Sequence, residues 1–413
     1  MAFQTGLSGL NVATADLDVI GNNVANAATI GFKSSRAEFA DVYAASLSGG
    51  GGSQIGLGAR IAAVGQQFTQ GNLTSTSNPL DMAINGKGFF RVSDGGSIAY
   101  TRNGQFHLDS VGQLVTTDGL QVTGYAADIT GNIVLSTPVP IQLLSSSQLA
   151  PSATTQFLAD LNLDSRAVPP VAPTFNPADP TSFTQSTSGS VYDTLGNPHV
   201  FTVYFVKTAT PGQWDLHGSV DGTALANVDL GAGAGNPVTL NFDSSGVLTT
   251  AMPLATQLTI AGGAVSPLAF DLDLAGSTQF GSNFGVNSLS QDGFTSGRLA
   301  GINVGSEGVI VGNYTNGQTK NLGQIALSTF ANPQGLKPVG NNRWEASADS
   351  GLPITGVPGD GSFGPLQAAA VEESNVDLTA ELVRMITAQR VYQANAQTIK
   401  TQDAMLQTLV NLR

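Results

Sequence analysis

The chain contains no cysteine, which removes disulfides, thiol catalysis and thiolate metal sites together. It has three histidines, His107, His199 and His217, far apart and without ligand spacing, so no metal or other cofactor is expected. Charged residues make up 11% of the chain, with 16 Lys and Arg against 29 Asp and Glu. The resulting net charge of −13 excludes nucleic acid as a partner, because phosphate contacts need clustered cations. No apolar run approaches the length of a membrane span, and no basic residue precedes Lys33. Neither membrane insertion nor a cleaved signal peptide is therefore expected, and export would need a dedicated secretion machine.

Motifs of catalysis are also missing. Gly86-Lys87-Gly88 lacks the following Ser or Thr of a phosphate-binding loop, and Gly231-Ala232-Gly233-Ala234-Gly235 opens no helical pattern. Asp271 and Asp273 alternate on one strand face and read as a solvated pair rather than a calcium site. No Ser-His-Asp set can be assembled. No catalytic, cofactor-binding or metal residue is assigned, and the expected role is structural.

What the sequence does hold is glycine, 50 residues of it, within a chain that is 41% hydrophobic. Short apolar runs between Asp-Gly, Asn-Gly and Ser-Gly turns predict a mainly β protein. At 413 residues it should divide into about two to four domains. Asp94-Gly95-Gly96, Asn103-Gly104, Asp118-Gly119 and Asn316-Gly317 mark hairpin turns.

The two ends differ from this. Phe3, Leu7, Leu10, Ala13, Leu17, Ile20, Val24 and Ala27 recur at spacings of three and four, predicting an amphipathic helix of roughly 25 residues that Gly31 stops. Leu378, Leu382, Met385, Gln389, Tyr392, Ala396, Ile399, Asp403, Leu406 and Val410 keep a 4-3 alternation, and Gly and Pro are absent from 376 to 413. Asn375 or Asp377 would cap that second helix. Two terminal helices can pair, but a pair has few neighbours for its remaining apolar surface. The apolar positions are therefore expected to become subunit interfaces in a polymer.

The resulting architecture is nested: residues 1–30 with 376–413 as a coiled-coil core, 31–70 with 363–375 as a linking segment, 71–145 with 285–362 as an inner β domain, and 146–284 as an inserted outer β domain. Within the linker, Gly49-Gly50-Gly51-Gly52 reads as a flexible loop or as a hinge-like arm against a neighbouring subunit.

Two stretches carry a resemblance. Asn22, Asn23, Asn26, Thr29, Gly31, Phe32 and Lys33 near one end, and Asn375, Asp377, Gln389, Gln393 and Asn395 near the other, are similar to the end signatures of the flagellar axial family of rod, hook and hook-associated subunits. Leu80-Asp81-Met82-Ala83-Ile84-Asn85-Gly86, with Gly88-Phe89-Phe90, resembles the inner β domain of that family. The resemblance implies a self-polymerising subunit of the extracellular flagellum, delivered by the flagellar type III export apparatus. The large insertion points to the hook, a flexible joint transmitting torque. Its implied partners are further copies of itself, the distal rod subunit, the hook cap and the hook-filament junction protein. The alternatives are a distal rod subunit and, from another class, a β-rich adhesin or hydrolase with incidental helical tails.

Overall fold

The computed structural model describes residues 2–42, 56–143, 148–172, 174–222 and 225–411. The four-glycine tract and the side chain of Val410 lie outside the described residues. The chain is mainly β with a helix at each end, α1 (Ala2–Ala25) and α2 (Leu378–Asn411). It forms two compact units: Met1–Ser146 with Ala300–Asn313 and Thr319–Arg413, and Ser147–Leu299 with Tyr314–Gln318.

The first unit holds both helices. Asp377 caps α2, its Oδ1 accepting from the backbone N–H groups of Thr379 (2.9 Å) and Ala380 (3.1 Å). The helices run antiparallel, with Gly6 against Ile399 and Gly9 against Asn395. A hairpin of β1 (Ser35–Val42) and β2 (Gly58–Gln66) packs on α1, so ordered antiparallel pairing flanks the glycine tract on both sides. The β part of this unit closes over two aromatic groups. Phe68, Phe89, Tyr100, Phe330 and Trp344 meet edge to face at 4.8–5.9 Å between centroids. Phe90 and Phe106 form a second edge-to-face pair at 5.0 Å.

Turn chemistry follows the dipeptides in most places. Asp94 pairs with Ser97 across Gly95 and Gly96, both at positive φ, as a two-residue hairpin requires. Asn103-Gly104 departs from the expectation. Gly104 has no positive φ; a Cβ there would collide with the Met82 carbonyl oxygen, and the Gly104 oxygen accepts from Met82 N–H at 2.9 Å. The residue is small because another strand crosses it, not because the chain turns.

The second unit is a sandwich. One sheet orders Val228–Asp229, Leu254–Leu258, Leu268–Asp273, Gln156–Asn162 and Gly285–Gln291; the other orders Gln185–Tyr192, Pro198–Lys207, Gln213–Val220 and Val238–Asn241. Alternation along Pro198–Lys207 buries Phe201, Val203 and Phe205 against Phe157 and Phe270 from the facing sheet, with Trp214 and Leu216 from the next strand.

One polar cluster fastens an end of that sandwich. Asp193, almost fully buried, accepts from Leu195 N–H and Asn197 N–H, each at 2.8 Å. His199 lies between Asp221 (Nδ1, 2.7 Å) and Asp193 (Nε2, 3.5 Å). Burial alone would lower the His199 pKa, but hydrogen bonds to the two carboxylates outweigh it and hold the imidazole above its ordinary value. Its contribution to stability is therefore complete below about pH 6.5 and is lost as pH rises through the raised folded value. Thermal melts of His199→Gln should show a larger loss relative to the parent at about pH 5.5 than at about pH 8.5. An equal loss at both would show that the ring acts only by its shape.

Candidate functional site: the junction of the two chain ends

The first end signature and the strand that leads into α2 meet at one buried carboxylate. Glu372 ends the short strand Ala370–Glu372, which pairs with Leu73–Ser75. Its Oε1 accepts from the Lys33 ammonium at 2.6 Å and from Gly71 N–H at 2.9 Å, and its Oε2 accepts from Arg102 Nη1 at 3.1 Å. Its backbone oxygen accepts from Gly31 N–H at 2.7 Å. The side chains of Lys33 and Glu372 are completely buried and that of Arg102 nearly so. Further donors are placed as well: Lys33 Nζ reaches the Thr69 carbonyl at 2.8 Å, Arg102 Nη2 the Gly86 carbonyl at 2.8 Å, and the guanidinium stacks over Phe89. Burial pushes the Lys33 and Arg102 pKa values down, against the attraction of Glu372. One carboxylate thus serves two cations.

The signature asparagines bind backbone. Asn23, almost fully buried at the end of α1, donates to the Ser35 carbonyl (2.7 Å) and accepts from Ser35 N–H (2.8 Å), giving β1 a partner where no strand lies. Asn375 accepts from Ser34 N–H at 2.7 Å and donates to the Gln67 carbonyl at 2.7 Å, joining both feet of the hairpin to the approach to α2. Asn26 folds back on Asn22 (3.0 Å), and the Thr29 hydroxyl bonds Asn26 (3.3 Å). Gly31 sits at φ +69, where a Cβ would meet Asn103 N at 2.5 Å. Phe32 is half-buried beside Lys33, while Gln389 and Gln393 are exposed on α2.

The apolar stripes are placed differently from the pairing seam. The buried positions of the two helices are mostly small or polar: Gly6, Ala13 and Asn23 on α1, Glu381 and Ala388 on α2, with Asn395 against Gly9; among the described stripe residues Ile20 is the one large apolar side chain that is fully buried. Small residues let the backbones approach, so the pair closes with most of its large side chains outside the contact, Ile20 and the flank of Ile399 excepted. Phe3, Leu7, Leu378, Leu382, Tyr392 and Leu406 remain exposed, with Val383, Ile386, Val391 and Met405 beside them. Leu10, Leu17, Val24, Met385 and Ile399 are intermediate. Sequence periodicity finds the stripes but not Gly6, Gly9, Arg102 or Glu372. Their one signal is a carboxylate embedded in Ala370-Val371-Glu372 and a pair of helical glycines three apart.

Among the described residues no three His, Asp or Glu side chains are grouped to hold a metal, and no helix is long and apolar enough to cross a membrane.

Replacing Glu372 by Gln keeps the shape but leaves two buried cations without a counter-charge. The first unit should lose about 3–5 kcal/mol in urea unfolding. Glu373→Gln, whose carboxylate reaches only the Thr74 hydroxyl and Asn72 amide near the surface, should cost far less. Equal losses would remove the special standing of the Glu372 junction.

Comparison with known proteins finds relatives of the full chain. Four family models match in order: the flagella basal body rod protein model over residues 3–33, the flagellar hook protein FlgE/F/G D1 domain over 83–155, the flagellar basal body protein FlaE D2 domain over 162–294, and the flagellar basal body rod FlgEFG protein C-terminal model over 367–412. The chain is 43% identical to flagellar hook protein FlgE of Escherichia coli strain K12 and 42% identical to that of Salmonella typhimurium, each over 100% of both chains. It is 33% identical to that of Borreliella burgdorferi, over 100% of this chain and 99% of the relative. The crystal structure of Helicobacter pylori flagellar hook protein FlgE2 shares the fold at a TM-score of 0.50 and 16% identity, over 71% of this chain and 99% of that one. By full-length identity, this chain belongs to the flagellar hook protein family.

Proposed function

We propose that the chain is the structural subunit of a bacterial flagellar hook, a tube that bends while carrying motor torque to the filament. The observation that carries this reading is the set of large apolar side chains left outside the α1–α2 pair. Burying each would contribute about 1.5–3 kcal/mol, and surfaces of this kind on a helix pair are interaction surfaces. Phe3, Leu7, Leu378, Leu382, Tyr392 and Leu406 are the interface residues of this reading, with Leu10, Leu17, Val24, Met385 and Ile399 partly exposed beside them; Ile20, expected in the same stripe, is buried within the subunit.

The helices form a stiff inner wall, residues 31–70 and 363–375 a linking segment, and the β parts of the two units inner and outer layers. These layers meet their neighbours through polar contacts that slide as the tube bends. The division places the hairpin of β1 and β2 in the linking segment, where it stiffens the arm on either side of the glycine tract. The sparse charge suits sliding, because fixed ion pairs would pin one register. The same reading makes the distal rod subunit, the hook cap and the hook-filament junction protein its axial neighbours. It also makes the flagellar type III apparatus its route out of the cell, with no cleaved signal, and it needs no enzymatic activity. A rod subunit is disfavoured by the inserted unit, which aligns with hook proteins end to end.

Leu382→Asp, an exposed change on α2, should leave the circular dichroism and melting of the monomer unchanged. Electron microscopy of flagella from cells carrying it as their one copy should show rods without hooks. Hooks of normal length and curvature would count against the reading.

A further inference from the structure

The register of the helix pair leaves one end of α2 bare. Gly6 lies against Ile399 and Gly9 against Asn395, so the first residue of α1, Ala2, falls opposite about residue 403. Beyond it α2 continues to Asn411. On this overhang Met405 is 58% exposed and Leu406 55%, and the Gln407 amide bonds the Asp403 carboxylate at 3.0 Å. Among the described residues, the seam that α1 fills elsewhere is open here.

The other end of the pair carries a groove of about 470 Å³ between α1, β1 and α2. Val12, Val19, Phe39 and Val391 give it apolar walls, and Arg36 and Arg384 line it as well. Glu381 also lines it. That carboxylate is buried and receives Arg384 on Oε1 at 3.1 Å, but its Oε2 has no donor among the described residues. A buried carboxylate oxygen without a donor has lost its water and gained nothing in its place.

Resting on the hook-subunit reading, we propose that the overhang of one copy, Asp403–Thr408, seats in this groove of a second copy. Met405 and Leu406 enter the apolar walls, Asp403 meets Arg36 and Arg384, and the Gln407 amide supplies the donor that Glu381 lacks. The overhang continues the α1–α2 seam, so the incoming copy extends an existing packing surface. Groove and overhang lie on opposite ends of the same rod, and the contact is heterologous: it propagates without closing. Ala388 and Met405 are 17 residues apart in sequence, which sets an axial offset of about 25 Å between contacting copies.

The absence of cysteine makes the test clean. The full chain carrying Val391→Cys and Leu406→Cys is polymerised, imaged and treated with a short bismaleimide. Within one copy these positions lie about 22 Å apart along one helix, out of reach of the linker. A ladder of dimers, trimers and longer species on denaturing gels is expected, with neither single variant forming one. Tubes that yield only monomers, or a ladder that stops at dimers, overturn the contact while leaving the hook reading intact. A ladder from the full chain carrying Val391→Cys with Phe3→Cys, in place of Leu406→Cys, overturns it by showing that α1 of the neighbour fills the groove. A parent chain that forms no tubes overturns the polymer reading and this contact with it.

Discussion

A single buried carboxylate holds the first unit closed. Glu372 neutralises Lys33 from 339 residues away and Arg102 from 270 residues away, so helix, hairpin and β core meet at one point. Ion pairs in the interior contribute little net stability, because desolvation offsets most of their attraction. Their value here is geometric. With two cations on one carboxylate, and Lys33 and Arg102 each also held by a backbone carbonyl, displacement of any segment strands a charge. Arg102 Nε is buried without an acceptor among the described residues.

Around that point the chain uses side-chain amides where strands are too short to pair. Asn23 supplies both halves of a ladder rung to Ser35, and Asn375 joins the two feet of the β1–β2 hairpin. The orientation of α1 and α2 is thereby fixed by polar bonds at their base. Most of their large apolar side chains are not needed for pairing. Glycine and alanine, with Ile20, close the pair, and most of the leucines stay wholly or partly outside it.

The helices, the mainly β body and several hairpin turns were legible because each is written locally: a 3.6-residue period, a capping Asp377, an Asp94-Gly95-Gly96 turn. The pairing face was not, since Gly6 and Gly9 carry no hydrophobic signal and act only through what approaches them. Asn103-Gly104 misled for the same reason, its glycine being required by the crossing Met82 strand rather than by a turn. The Glu372 junction was illegible in principle. Lys33 stood out as a member of a motif, but nothing along the chain names a partner 339 residues later.

The second unit is built almost wholly from one continuous stretch, 147–299, while the first needs both ends. Local contacts form before distant ones, because closing a long loop carries the larger entropy cost. A chain emerging from its first residue onward can complete most of the sandwich early. It cannot complete the Lys33–Glu372 junction, or align α1 with α2, until almost its last residues are free. The paired ends therefore gain their shape last, after the part of the chain that lies between them.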